Sequence, residues 1–414
     1  MPITKALPTL LMGLICTAVL FTSCQDDSNE LPDDPVTPVT PVDPDNPGDN
    51  STTAIERTFG NNIDINNLDN YANQQIPNYI TRDNTEGNQI TNAGATLGRV
   101  LFYDKSLSSD FSTSCASCHQ QQFAFSDPDQ LSQGANGITG RHSMRLINAR
   151  FAREDNFFWD ERANSLEEQT TLPIQDHAEM GFSGTNGDPS FADLLDRLEA
   201  TDYYQELFSF VYGDNEVTEG RIQNALAQFI RSIQSFDSRY DAGRTQVNNN
   251  NTPFPNFTNQ ENQGKQLFSQ APQLAENGVR IGGGLGCQGC HGAPEFDITP
   301  NSRNNGVIAV AGNPGATDVN ITRSPSLRDL INPNGFLNGP AMHTGTFATI
   351  DDILEHYNSI QNVPNLDNRL REGNNGQQLM MTNEERAAIT AFLNTLTGND
   401  VYTNAIWSNP FLMN

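Results

Sequence analysis

Basic residues are scarce in this chain. Twenty-three Lys and Arg stand against 50 Asp and Glu, a net charge of −27. Nothing in that balance would displace counterions from phosphates, which excludes a nucleic-acid partner. An acidic surface suits a small basic partner protein, and it also serves plain solubility. Long hydrophobic runs are missing too. The apolar stretch from Leu10 to Phe21 is too short to span a bilayer comfortably. Strand-like alternation is rare, so a mainly α body is expected. Cysteines number only six in 414 residues, and their placement is the most informative feature of the chain.

The N-terminus reads as an export signal. Lys5 supplies a positive start, the Leu10–Phe21 stretch an apolar centre, and Phe21-Thr22-Ser23-Cys24 the end. Small residues before a cysteine resemble the lipobox of bacterial lipoproteins. That resemblance implies a signal peptide over 1–23 and lipidation of Cys24. Residues 24–56 then form a tether rich in Pro and Asp, which cannot build a core and favours extended conformations. The protein is expected to be exported and held at the cell envelope by lipid alone, on the periplasmic side of a membrane or on the outer surface.

The body divides into two weakly similar halves, 57–241 and 242–414. Helices are expected over 218–236, where Ile222, Leu226, Phe229, Ile230 and Ile233 share one face, and over 191–212. Another should open at Thr382, with Glu385 at capping-box spacing. The Asn- and Pro-rich stretch 242–259 reads as a linker or long loop. Each half carries a segment ending in Leu-Phe, Gly98–Phe102 and Gly264–Phe268, ahead of a Cys-x-x-Cys-His motif.

Apart from Cys16 and Cys24, every cysteine lies in such a motif: Cys115, Cys118 and His119, then Cys287, Cys290 and His291. Two thiols at this spacing can form thioethers to one haem, and the adjacent histidine falls under its iron. A single copy would equally suit a redox dithiol or half of a zinc site. Two complete copies on an exported chain point to two c-type haems, with His119 and His291 as proximal ligands.

From about Thr91 to Leu396 the sequence resembles the bacterial di-haem cytochrome c peroxidases, the family that includes the MauG-type enzymes. The resemblance is carried by Leu97–Asp104, Phe158-Trp159-Asp160-Glu161-Arg162, Gln169, Glu179-Met180, Arg323–Asp329 and Pro340–Gly345. It implies two cytochrome-c-like helical domains, each with one covalent haem, facing each other across an interface. It further implies a cytochrome-c peroxidase type oxidoreductase. Hydrogen peroxide would react at the haem on His119, and the haem on His291 would pass it electrons from a small c-type cytochrome or cupredoxin. Glu179 matches the acid–base group, Gln169 stands with it, and Trp159 matches the aromatic between the haems. The alternatives are a MauG-type oxidase using a ferryl state to modify a protein or small molecule, and a di-haem electron carrier without catalysis.

The chain departs from the family pattern in three places. A histidine that blocks the first haem in many members would fall near Gly134, and none is there; His142 aligns better with an Asn of the pattern. The ligand opposite His291 is methionine in the peroxidases proper, but fourteen residues after His343 stands Tyr357, as in MauG-type enzymes. Met342, Met380 and Met381 are its rivals. Asn338 and Pro340 occupy two positions of the family's calcium site, while His142 replaces the third, which speaks against calcium.

Overall fold

The computed structural model describes residues 52–412. The export signal, Cys24 and most of the tether lie outside the described residues. Eleven α-helices are described: α1 Ala54–Phe59, α2 Asn92–Tyr103, α3 Cys115–Cys118, α4 Leu166–Thr171, α5 Phe191–Glu199, α6 Asp202–Tyr212, α7 Glu219–Ser232, α8 Arg239–Arg244, α9 Asn259–Ser269, α10 Ile350–Asn358 and α11 Asn383–Asn394. Strands among the described residues form four two-stranded antiparallel hairpins. The protein is mainly α.

Local signals set the helix ends. Thr218 caps α7 by accepting from the Arg221 N–H, and Ile222, Ala225, Leu226, Phe229 and Ile230 are buried along it. The helix stops at Ser232, short of the expected 236. Thr382 and Glu385 close a reciprocal capping box at α11. The expected single helix over 191–212 is two, broken at Ala200-Thr201. The break re-aims the second piece, so that the hydroxyls of Tyr203 and Tyr204 both donate to Asp104, each at 2.7 Å. Helix α1 begins at Ala54, inside the stretch read as tether, and the Glu206 carboxylate accepts from the Ala54 and Ile55 N–H groups. Residues 245–258 are loop, yet Phe254 and Phe257 within them are buried in a core.

The body holds two main hydrophobic cores built on one plan. In the first, α2 crosses α7; in the second, α9 crosses α11. Phe102 meets Phe229 at 5.2 Å between ring centroids, and Phe268 meets Phe392 at 5.2 Å. A third ring completes each cluster, Phe125 against Phe102 and Phe296 against Phe268. The crossings are close because a glycine sits at each. A Cβ on Gly98 would lie 2.0 Å from the Ala225 carbonyl oxygen, and one on Gly264 would lie 1.9 Å from that of Ala388. The duplication read from the sequence is therefore a duplicated helix crossing. The C-terminus then returns to the first core, where Val401 and Trp407 are buried. Tyr103, Arg99 and Gln121 bind its carbonyls at Trp407, Ser408 and Asn404.

A stability test follows from the crossing. Gly264→Ala should destabilise the protein by about 1–3 kcal/mol, because the obstructing atom is backbone and cannot step aside. Gly220→Ala in α7 meets nothing within 4 Å and should stabilise by roughly 0.4–1 kcal/mol. Chemical denaturation of the two variants checks the pair.

Candidate functional site

The first Cys-x-x-Cys-His motif forms the short helix α3, with Ser114 and Ser117 closing its start. The chain then doubles back through Ala124 and Phe125, both at positive φ. That turn brings the Phe125 carbonyl to 3.3 Å from His119 Nδ1. A proton on Nδ1 leaves Nε2 with a free lone pair, the arrangement of a ligating imidazole. Burial lowers the His119 pKa to about 4, so the ring is neutral at pH 7. Burial also pushes Cys115 up to about 12 and Cys118 to about 11. Such thiols are not poised as thiolates, which argues against a redox dithiol.

The second motif repeats the logic on different local structure. Cys287–Gly289 is a 3₁₀ turn, and His291 opens a hairpin. His291 Nδ1 lies 3.3 Å from the Phe296 carbonyl and 3.1 Å from that of Pro325. Burial lowers His291 to about 4 and raises Cys287 to about 12 and Cys290 to about 11. Cys115 and Cys118 line one cavity, whereas Cys287 and Cys290 lie near Tyr357, in the wall of another. No group of three His, Cys, Asp or Glu converges on a metal-ion site among the described residues. They are therefore not two halves of one zinc site.

Cys115, Cys118 and His119 line a cavity of about 580 Å³. His291 lines a tighter one of about 90 Å³, whose wall includes Tyr357 and Met342. Paired neutral thiols, a histidine with an oriented free nitrogen and an adjoining cavity are the donor set a c-type haem takes. The residues present fit that group at both sites: Cys115, Cys118 and His119 would hold one, and Cys287, Cys290 and His291 the other.

Glu179 and Gln169 both line the first cavity. The loop carrying Glu179 is fixed by Asp176, whose carboxylate accepts from the Ala178 and Glu179 N–H groups at 2.8 and 3.1 Å. Burial, with the Asp176 charge adding to it, raises the Glu179 carboxyl to about 7, while Arg162 opposes the shift. Gly134 lies directly against this loop. A Cβ there would sit 2.1 Å from the Ala178 carbonyl oxygen and 2.6 Å from that of Glu179. The position where a blocking histidine would fall thus has no room for any side chain.

Trp159 lines both cavities. Its Nε1–H donates to the His142 carbonyl at 2.8 Å, and its ring stands edge-on to His343 at 6.2 Å. His142 lies in the same shared wall, with Nδ1 held near the Asp129 and Gln130 carbonyls at 3.1 and 3.2 Å. At this third position of the family's calcium pattern the side chain offers nitrogen, whereas calcium takes oxygen; Asn338 Oδ1, at another of the positions, is buried with no hydrogen-bond partner. At the second cavity, Asn305 Nδ2 lies 3.4 Å from the Tyr357 hydroxyl and 3.3 Å from Met342 Sδ. Sequence reasoning missed Asn305, and no motif marks it. Met380 is exposed and Met381 packs in the second core. His356 bonds the Asn305 carbonyl, away from Tyr357's hydroxyl.

Duplicated helical cores, each with a Cys-x-x-Cys-His motif whose histidine lines a cavity, match the plan of a di-haem c-type cytochrome. Residues 92–249 match the model of the di-haem cytochrome c peroxidase family. It is 29% identical to the methylamine utilization protein MauG of Methylophilus methylotrophus, over 75% of this chain and 84% of that protein. It is 28% identical to the cytochrome c551 peroxidase of Nitrosomonas europaea, over 74% of this chain and 80% of the relative. Among solved structures, it resembles a MauG-like protein associated with microbial copper homeostasis. There the identity is 25% and the TM-score 0.63, covering 82% of this chain and 99% of the other. The family match implies two c-type haems, and the relatives include both MauG proteins and cytochrome c peroxidases.

Proposed function

We propose that this protein reduces hydrogen peroxide to water at the His119 site, using electrons that enter through the His291 site. The carrying observation is a carboxyl raised to about 7, Glu179, facing the His119 cavity beside Gly134, where no side chain fits. A haem held by Cys115, Cys118 and His119 would supply the redox equivalents. The chain's residues supply the proton traffic. Glu179 accepts the proton of the peroxide oxygen that binds and returns it to the oxygen that leaves. One peroxide, two electrons and two protons give two waters. Gln169 orients the peroxide, and Trp159, common to both cavities, relays electrons between them. The donor fits the class of small c-type cytochromes or cupredoxins, drawn by the acidic surface.

The test is peroxide addition to the fully oxidised holoprotein, followed by its spectrum. A high-spin first haem should react without prior reduction. A resting protein low-spin at both haems, and inert until reduced, would refute the open-site reading and favour an electron carrier.

A second reading has its own support. Tyr357 stands at the second cavity where the peroxidases proper use methionine. A low-potential second site would favour oxidising a bound protein or small molecule over turnover with a soluble donor, as in the MauG-type branch.

Cys24 carries the proposal for location. Cys24→Ala should move the protein from the membrane fraction to the soluble fraction, read by fractionation and immunoblot. A variant still membrane-bound after signal cleavage would remove the lipid anchor.

A further inference from the structure

Two arginines, Arg145 and Arg323, line both cavities. Arg323 has an acidic partner, Asp297, at 3.4 Å, and it also donates to the Asn156 carbonyl. Arg145 forms no ion pair among the described residues. Its Nη2 donates to the Ser326 carbonyl at 2.7 Å, and its Nε is buried with no partner at all. Asp329, a carboxylate felt electrostatically by Arg145, forms no ion pair with it; its Oδ1 accepts from the Gly398 N–H and the Tyr402 hydroxyl, and its Oδ2 is buried without a partner. A buried guanidinium with one neutral acceptor and an idle donor is costly, and native structures answer such a charge with an anion. Among the described residues no carboxylate reaches ion-pair distance of Arg145.

Arg145 also sits in the segment that touches both sites. The Met144 backbone lies beside the His119 ring, and His142 accepts from Trp159. Ser326, which Arg145 holds, follows Pro325, whose carbonyl orients His291. A haem carries two propionate carboxylates on one edge, so two haems at these cavities bring the missing anions.

We infer that Arg145 is a shared counter-ion, binding propionate carboxylates of both haems from the wall between the two cavities. The inference rests on the two-haem reading. A fixed positive charge there favours the reduced state of each iron, so one residue tunes both potentials together. Arg145 is a binding and positioning residue and takes no part in proton transfer.

The test uses the full holoprotein, with haem content counted by pyridine haemochrome and each haem titrated spectroelectrochemically. Arg145→Met should keep two haems per chain and lower the reduction equilibrium constant of each by roughly tenfold or more, ~59 mV per electron. Arg145→Lys keeps the charge and should leave both constants within about threefold of the parent. Should the Met variant fail to mature, Arg145→Gln retains a donor for the Ser326 carbonyl and carries the same expectation. Constants within about threefold of the parent in a charge-free variant overturn the assignment. So does a shift confined to one haem, or a tenfold fall in the Lys variant. Fewer than two haems in the parent protein would instead remove the reading beneath it.

Discussion

Glu179→Gln should slow the reaction of the oxidised holoprotein with hydrogen peroxide by ~100- to 10,000-fold, with both haems still attached. The substitution keeps the shape and a polar end, and removes only the ability to take and return a proton. A solvated surface carboxylate would give no such loss. Glu179 instead faces the cavity of His119, and burial raises its carboxyl to about 7. The raised value fixes the sign of the pH dependence. Below about 7 the carboxyl is protonated and cannot accept the peroxide proton; above it the base is present. The parent rate should therefore rise with pH through a limb near 7, and the Gln variant should lack that limb. Stopped-flow mixing across this range measures both. An unmodified rate in the variant, or the same limb in both proteins, would take Glu179 out of the mechanism. Asp176→Asn supplies a further check. Its charge adds to the rise of the Glu179 carboxyl, so its loss should move the limb to lower pH.

Much of this site was legible because it is written in contiguous motifs. Cys-x-x-Cys-His fixes three donors within five residues, and the duplication shows in two short segments, Gly98–Phe102 and Gly264–Phe268. Their glycines make sense only in three dimensions, as points where α2 meets α7 and α9 meets α11. Other features have no local signature. The single stretch 191–212 reads as one amphipathic helix, and its break serves a distant carboxylate, Asp104. The return of Trp407 to the first core depends on carbonyl acceptors for Arg99 and Tyr103, some 300 residues earlier in the chain. Arg145 reads as an ordinary charge in sequence, and only its enclosure without an acidic partner marks it. Glu161 takes a left-handed φ of 56°, a region that favours glycine. Its carboxylate accepts from the Thr322 hydroxyl at 2.6 Å, a contact that glycine could not make and that helps offset the backbone strain.

Tyr357→Met should raise the reduction potential of the second haem by on the order of 0.2 V, part of the ~0.8 V range over which axial ligands act. Helix α10 carries Tyr357 to the wall of the His291 cavity, and Asn305 holds its hydroxyl there. Burial raises the phenol well above its ordinary pKa, and the neighbouring Cys290 adds to the shift. Left to the protein alone, this hydroxyl keeps its proton. Only a strong local positive charge would draw it off, and a ferric centre bound at His291 is such a charge. The resulting anionic oxygen would favour ferric over ferrous iron, whereas a neutral thioether does the reverse. Replacing one by the other therefore shifts the site toward the peroxidases proper, and a variant that accepts electrons readily from a soluble cytochrome should follow. Met342 offers the competing sulfur, since it lines the same cavity and shares Asn305. Met342→Leu separates the two cases. If Tyr357 is the ligand, Met342→Leu leaves the potential of the second haem nearly unchanged. If Met342 is the ligand, the pattern inverts: Met342→Leu lowers the potential and Tyr357→Met scarcely moves it.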